Sequence, residues 1–277
     1  NDCKNLSEVT LPKGWTTVYV RSAYGYESPF QGCTKLTEVT LPEGMTEVPD
    51  YAFKDCTSLK RINFPEGMTR IRYSSFENCS GLNQLDLPDT VTYIESRAFY
   101  GCKGFRMLNF NEELESIGSY AFFGCDGLVS LVLNEGLTNL SDYAFADCAN
   151  LTAARVPKAV TSFGKDSFKN CSKLTIYCYS GSAAHKALEN TSYKYKLLDE
   201  HEHVYETTIE TEPTCTRGGS QIKTCTVCGY NYIELVDALG HDYVSVKTEP
   251  TCAEKGYTTY TCRRCNDTYQ DDYIDAL

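Results

Sequence analysis

The sequence predicts a parallel β-solenoid closed by a C-terminal cap, followed by two small β-rich modules. Three observations predict it. A cysteine returns at Cys33, Cys56, Cys79, Cys102, Cys125, Cys148 and Cys171, every 23 residues without drift, and a fixed period of that length marks stacked coils. Each unit carries apolar residues two apart and then a proline or its substitute, as in Val39, Leu41 and Pro42. After residue 200 a second period begins, in which one histidine and three cysteines recur.

The unit reads C-x-x-L-x-x-V-x-L-P-x-x-V-x-x-I-x-x-x-A-F-x-x. The second unit gives Cys33, Leu36, Val39, Leu41, Met45, Val48, Ala52 and Phe53; the fourth gives Cys79, Leu82, Leu85, Leu87, Val91, Ile94, Ala98 and Phe99. One such unit cannot bury its apolar side chains alone, but stacked copies place like slot on like slot. Alternate spacing is strand spacing with one set facing inward. Proline has no N–H to give a ladder, so a short strand ends there. The rest of each turn returns through irregular or 3₁₀-like coil.

The first unit starts at Cys3, and 30 residues separate it from Cys33. The extra residues fall between Tyr19 and Phe30, and this aromatic insertion is a candidate contact loop through Tyr24 and Tyr26. Outward strand positions form a second candidate surface: Glu38, Arg61, Gln84, Asp86, Met107, Asn109, Val132 and Arg155. Their chemistry is mixed, which suits an extended partner better than a small metabolite. The repeat cysteines read as buried reduced thiols: in-register Cβ atoms stay about 4.8 Å apart, and a bridge wants about 3.8 Å. The eighth unit fails after Leu174. One last strand at 176–179, a helix from Ala183 to Asn190 capped by Ser182, and an edge strand at 193–198 make the cap.

Residues 1–198 are therefore one domain, with modules at 199–240 and 241–277. Each module offers a set spaced H-x₁₀₋₁₁-C-x₉-C-x₂-C: His203, Cys215, Cys225 and Cys228, then His241, Cys252, Cys262 and Cys265. Cys₃His is a structural zinc set, and a module under 40 residues needs a staple to fold. Two structural Zn²⁺ ions are expected; disulfides within or across modules are the competing reading.

The chain has 277 residues, 42% hydrophobic, with a net charge of −11. Residues 201–277 hold 6 Lys and Arg against 13 Asp and Glu. Phosphate contact needs the opposite sign, so nucleic acid is excluded as a partner. No run of about 18 apolar residues exists, so membrane insertion is not expected. No Ser-His-Asp set or phosphate-cradling glycine loop can be assembled, which argues against an enzyme. The chain opens in the tail of a repeat and closes on an Asp-Ala-Leu that elsewhere runs on into Gly-His, so it reads as an excerpt.

The unit with its Leu-Pro and Ala-Phe pairs resembles the BspA-like, or treponemal-type, leucine-rich repeat over about residues 3–198. The paired Glu-Pro-Thr-Cys modules look like repeats that follow such domains in surface proteins of gut anaerobic bacteria. The resemblance implies a right-handed leucine-rich repeat solenoid with zinc-ribbon-like modules behind it. It also implies a secreted or wall-associated, non-enzymatic binding or adhesion protein that recognises a host or neighbouring-cell protein or glycan. A passive spacer within a larger surface protein is the alternative.

Overall fold

In the computed structural model the described residues are 5–11, 20–22, 25–28, 30–199, 202–227 and 229–277. They divide into two units, Asn1–His203 and Val204–Leu277.

The first unit runs β1 (Glu8–Thr10), β2 (Val20–Ser22), β3 (Gly25–Glu27), β4 (Glu38–Thr40), β5 (Glu47–Val48), β6 (Arg61–Asn63), β7 (Arg70–Ile71) and β8 (Tyr93–Ile94). It continues with β9 (Ser116–Ile117), β10 (Ser130–Val132), β11 (Asn139–Leu140), β12 (Ala153–Arg155) and β13 (Ser162–Phe163). It ends with β14 (Thr175–Cys178), α1 (Ala183–Leu188) and β15 (Lys194–Leu197). Two parallel ladders climb the stack. The first joins β1-β4-β6 and then β10-β12-β14-β15. Between these stretches, one bridge from Asp86 to Asn109 carries it. The second ladder, β5-β7-β8-β9-β11-β13, is unbroken over six turns.

The repeat thus makes two strands per turn, where the sequence pattern pointed to one. The second sits at the V-x-x-I slot, where only two residues per turn pair, as in Arg70–Tyr93 and Ile71–Ile94. Two residues are too few for an alternation to show in a sequence. The coil returns by tight turns, with successive bonds such as Cys56 N–H to the Phe53 carbonyl at 3.2 Å and Leu59 N–H to Cys56 at 3.0 Å.

Like slots meet like slots throughout. Leu59, Leu82 and Leu128 are fully buried. The repeat phenylalanines form one continuous stack, Phe30-Phe53-Phe76-Phe99-Phe122-Phe145-Phe168, with centroids 5.0–5.8 Å apart. Phe30 therefore belongs to the repeat rather than to the insertion, where its aromatic neighbours in sequence had placed it. Each thiol from Cys56 to Cys171 donates to a phenylalanine carbonyl of the preceding turn, for example Cys79 to Phe53 and Cys102 to Phe76, both at 3.1 Å. None of the described repeat cysteines forms a disulfide, as the Cβ spacing requires. The residue before each repeat cysteine is left-handed: Gly32, Asp55, Asn78, Gly101, Gly124, Asp147 and Asn170 have φ between 57° and 73°. Only Gly, Asn and Asp stand there, the residues that adopt this region at least cost.

The cap closes the stack. Ser182 accepts the His185 N–H at 3.1 Å, the N-cap bond the sequence predicts. The His185 ring accepts from Gly181 N–H at 3.1 Å and packs on Tyr195 at 5.5 Å. β15 pairs in parallel with β14 and presents Lys194 and Lys196 at the edge.

The second unit is two antiparallel sheets, β16 (Tyr205–Thr211)-β17 (Gly219–Cys225)-β18 (Asn231–Val236) and β19 (Tyr243–Thr248)-β20 (Gly256–Cys262)-β21 (Thr268–Ile274). Gly219 and Gly256 open the middle strands. A Cβ on Gly219 would lie 2.3 Å from the Thr211 carbonyl, and one on Gly256 2.7 Å from Pro250. The buried apolar residues described here are few: Cys215, Cys225, Tyr230, Ile233 and Cys262. Val204, Ile209, Val246, Tyr273 and Leu277 are exposed. The sheets are held by backbone bonds with very little core.

Candidate functional site

Two kinds of site emerge, a set of surfaces on the first unit and a thiol-imidazole cluster in the second. On the first ladder, Val39 and Ile62 point into the core, and their neighbours point out. Arg61, Gln84, Asp86 and Asn109 are exposed; Glu38, Met107, Val132 and Arg155 are half-buried. The turns bring them into one row, with Glu38 beside Arg61 and Val132 beside Arg155 in register. Neighbours steady one another. Asn63 donates to Glu38 at 2.8 Å, and Arg155 donates to the Tyr179 hydroxyl at 2.8 Å and pairs with Glu135. Tyr24 lies outside the described residues. Tyr26 lies in the hairpin of β2 and β3, opposite Arg21.

The second ladder carries a surface the sequence did not disclose. Its outward row is Glu47, Arg70, Tyr93, Asn139 and Ser162, with Ser116 buried among them. A groove of about 370 Å³ lies there, its lining including Arg70, Tyr73, Tyr93, Glu95 and Gly118. Arg70 sits over the Tyr93 ring at 5.1 Å and pairs with Glu95 at 3.1 Å. The signal for it was hidden in two-residue strands.

In the second unit, Cys215, His241, Cys262 and Cys265 bring one ligand atom each within 4.8 Å of one another. Cys215 Sγ lies 3.8 Å from Cys262 Sγ, and Cys265 Sγ lies 3.4 Å from His241 Nδ1. The His241 ring is steadied by stacking on Tyr243 at 5.1 Å. Cys262 ends β20, and a turn returns the chain: Asn266 N–H bonds the Cys262 carbonyl at 3.0 Å. Burial opposes ionisation of Cys262. Backbone N–H groups of Arg264, Asp242 and Cys265, with the His241 ring, outweigh it and bring the thiol down to about 5. Burial, with the Cys265 and Cys262 thiols, pushes Cys215 up to about 11.

This grouping differs from the expected sets. Cys252 is exposed and not among the four, and Cys215, assigned to the first module, takes its place. The reason is strand length. Cys252 sits in the loop before β20 and Cys262 at its far end, and the six steps of Gly256–Cys262 span about 20 Å at about 3.3 Å per residue. The same argument separates Cys215 from Cys225 across β17. Among the described residues, the cysteines of one module thus stand before and at the far end of its middle strand. In the first module, Cys225 pairs with Tyr205 as Cys262 pairs with Tyr243; Cys228 lies outside the described residues. His203 closes the first unit.

No helix among the described residues is long and apolar enough to cross a membrane. Residues 1–106 and 93–198 match the family model described as the BspA type leucine-rich repeat region, in six copies. A leucine-rich repeat protein of T. pallidum is 32% identical, over 50% of this chain and 67% of that one, with a TM-score of 0.48. One from Bacteroides ovatus is 25% identical over 62% of this chain and 47% of that one, with a TM-score of 0.51. A leucine-rich cell surface protein from Faecalibacterium prausnitzii is 25% identical, over 63% and 48%, with a TM-score of 0.43. The match thus spans about half the length of the last two. No curated protein matches the chain.

Proposed function

The chain belongs to the BspA-type leucine-rich repeat family, and from that premise we propose that it is a secreted or wall-associated, non-enzymatic binding protein. Its partner is a protein or glycan of a host or neighbouring cell. The contact surface is the outward row of the first ladder together with the tyrosine hairpin. The observation that carries this reading is the row itself. Stacked turns present Arg61, Gln84, Asp86 and Asn109 to solvent, each anchored on a buried apolar neighbour. A surface that is rigid, polar and several turns long fits an extended partner, and steep exposure of mixed hydrogen-bonding groups favours specificity over bulk affinity. The second unit serves as a spacer stabilised by structural Zn²⁺.

The test is capture of the intact chain on arrays of glycans and matrix proteins. Arg61→Ala combined with Gln84→Ala and Asn109→Ala should weaken capture at least tenfold, with the thermal midpoint unchanged. Tyr24→Ala with Tyr26→Ala should weaken it further. Capture that survives both sets of changes would return the protein to the role of passive spacer.

A further inference from the structure

We propose that Cys215, His241, Cys262 and Cys265 bind one tetrahedral, thiolate-preferring divalent ion, so that the Pro-Thr-Cys loop of the first module closes the metal site of the second. This rests on the reading of the second unit as zinc-stabilised, and adds which module supplies which ligand.

The distances match the chemistry. With Zn–S near 2.3 Å and Zn–N near 2.0–2.1 Å, a tetrahedral site has S···S edges of about 3.8 Å and S···N edges of about 3.6 Å. The structure has 3.8 Å between Cys215 and Cys262 and 3.4 Å between Cys265 and His241. A disulfide would need its sulfurs at about 2.05 Å. Three sulfurs and one imidazole nitrogen are a soft, closed set, which selects Zn²⁺ over Mg²⁺ or Ca²⁺. The second observation is the poverty of the core. Two sheets that leave Val246, Tyr273 and Ile274 exposed gain little from apolar burial, whereas a structural ion contributes folding energy outright. The third is a contact that ties the modules beside the cluster: Arg264 donates to the Leu239 and Gly240 carbonyls at 3.0 and 3.1 Å. Cys252 occupies the equivalent place one period on from Cys215 and is exposed, so it is the natural control.

The experiment titrates the intact, reduced chain with Zn²⁺ against a competing chelator. Alongside run Cys215→Ser, Cys252→Ser and Cys215→His, which restores a ligand. The expected result is one tight equivalent whose affinity falls at least 100-fold in Cys215→Ser, is regained in good part by Cys215→His and is unchanged in Cys252→Ser. As a second readout, the chain cut between the modules should stay together in native mass spectrometry until chelator is added. Loss of the ion in Cys252→Ser with retention in Cys215→Ser would overturn the cross-module closure while leaving a zinc module. No metal binding by the wild-type chain, or a Cys215–Cys262 disulfide in it, would overturn the zinc reading as well.

Discussion

A buried thiol in each turn does more than fill space. The Phe76 carbonyl accepts both the Cys79 N–H at 3.1 Å and the Cys102 thiol at 3.1 Å, so one oxygen ties its own turn and the next. Burial pushes the Cys79 and Cys102 thiols well up, which keeps them protonated, donating and unreactive. That the cysteines are free was legible from Cβ geometry; that they donate was not, because a sequence does not say where a carbonyl points. Glu77 is the charged counterpart. It is buried and pairs with Arg97 at 3.1 Å and Lys54 at 3.2 Å. Burial opposes its ionisation, but Arg97, Ser74 and Lys54 together bring its carboxyl below the ordinary value of 4.5. A carboxyl lowered on folding adds stability that is present above its unfolded pKa and lost as pH falls through its folded one. Glu77→Gln should therefore be less stable than wild type at pH 7, and the gap should close as acid is added below pH 4.5. Thermal melts across that range check it; a gap of constant size would remove Glu77 from the account.

At the scale of the element, the period of 23 residues made the solenoid and its inward slots legible, because each recurs in register and burial repeats with it, and the break in that period marked the cap. What escaped is the second ladder, whose strands are too short to alternate, and the membership of Phe30, masked by the insertion before it. The phenylalanine stack allows a graded test. Phe99 is fully buried between Phe76 and Phe122, each at 5.3 Å. Phe99→Ala should cost about 3–5 kcal/mol, read from urea denaturation. Phe163 is half-buried and only tilted on Phe168 at 6.2 Å, and Phe163→Ala should cost clearly less. Equal losses would remove the stack from the account of stability. That module cysteines and a histidine would gather was legible in the spacing, but which of them gather was not. A period of 37 residues looks the same whether a ring of ligands closes within one copy or across two. The nine residues between Cys252 and Cys262 held the missing signal, since an extended strand there carries the chain away from Cys252.

Across the whole molecule, the two units draw stability from different sources. The first has a continuous apolar seam; the second has thin sheets and one candidate ion site among its described residues. Calorimetry of the intact chain should show two transitions, with chelator lowering the one from Val204–Leu277 and leaving the other in place. A chelator shift in both would tie the units together energetically. Shared coordination also bears on mechanics. A loaded ion would lock neighbouring beads into a strut, and stripping it would leave a slacker tether joined by peptide and the Arg264 contacts. Zinc supply would then set how far, and how stiffly, such a tail can reach.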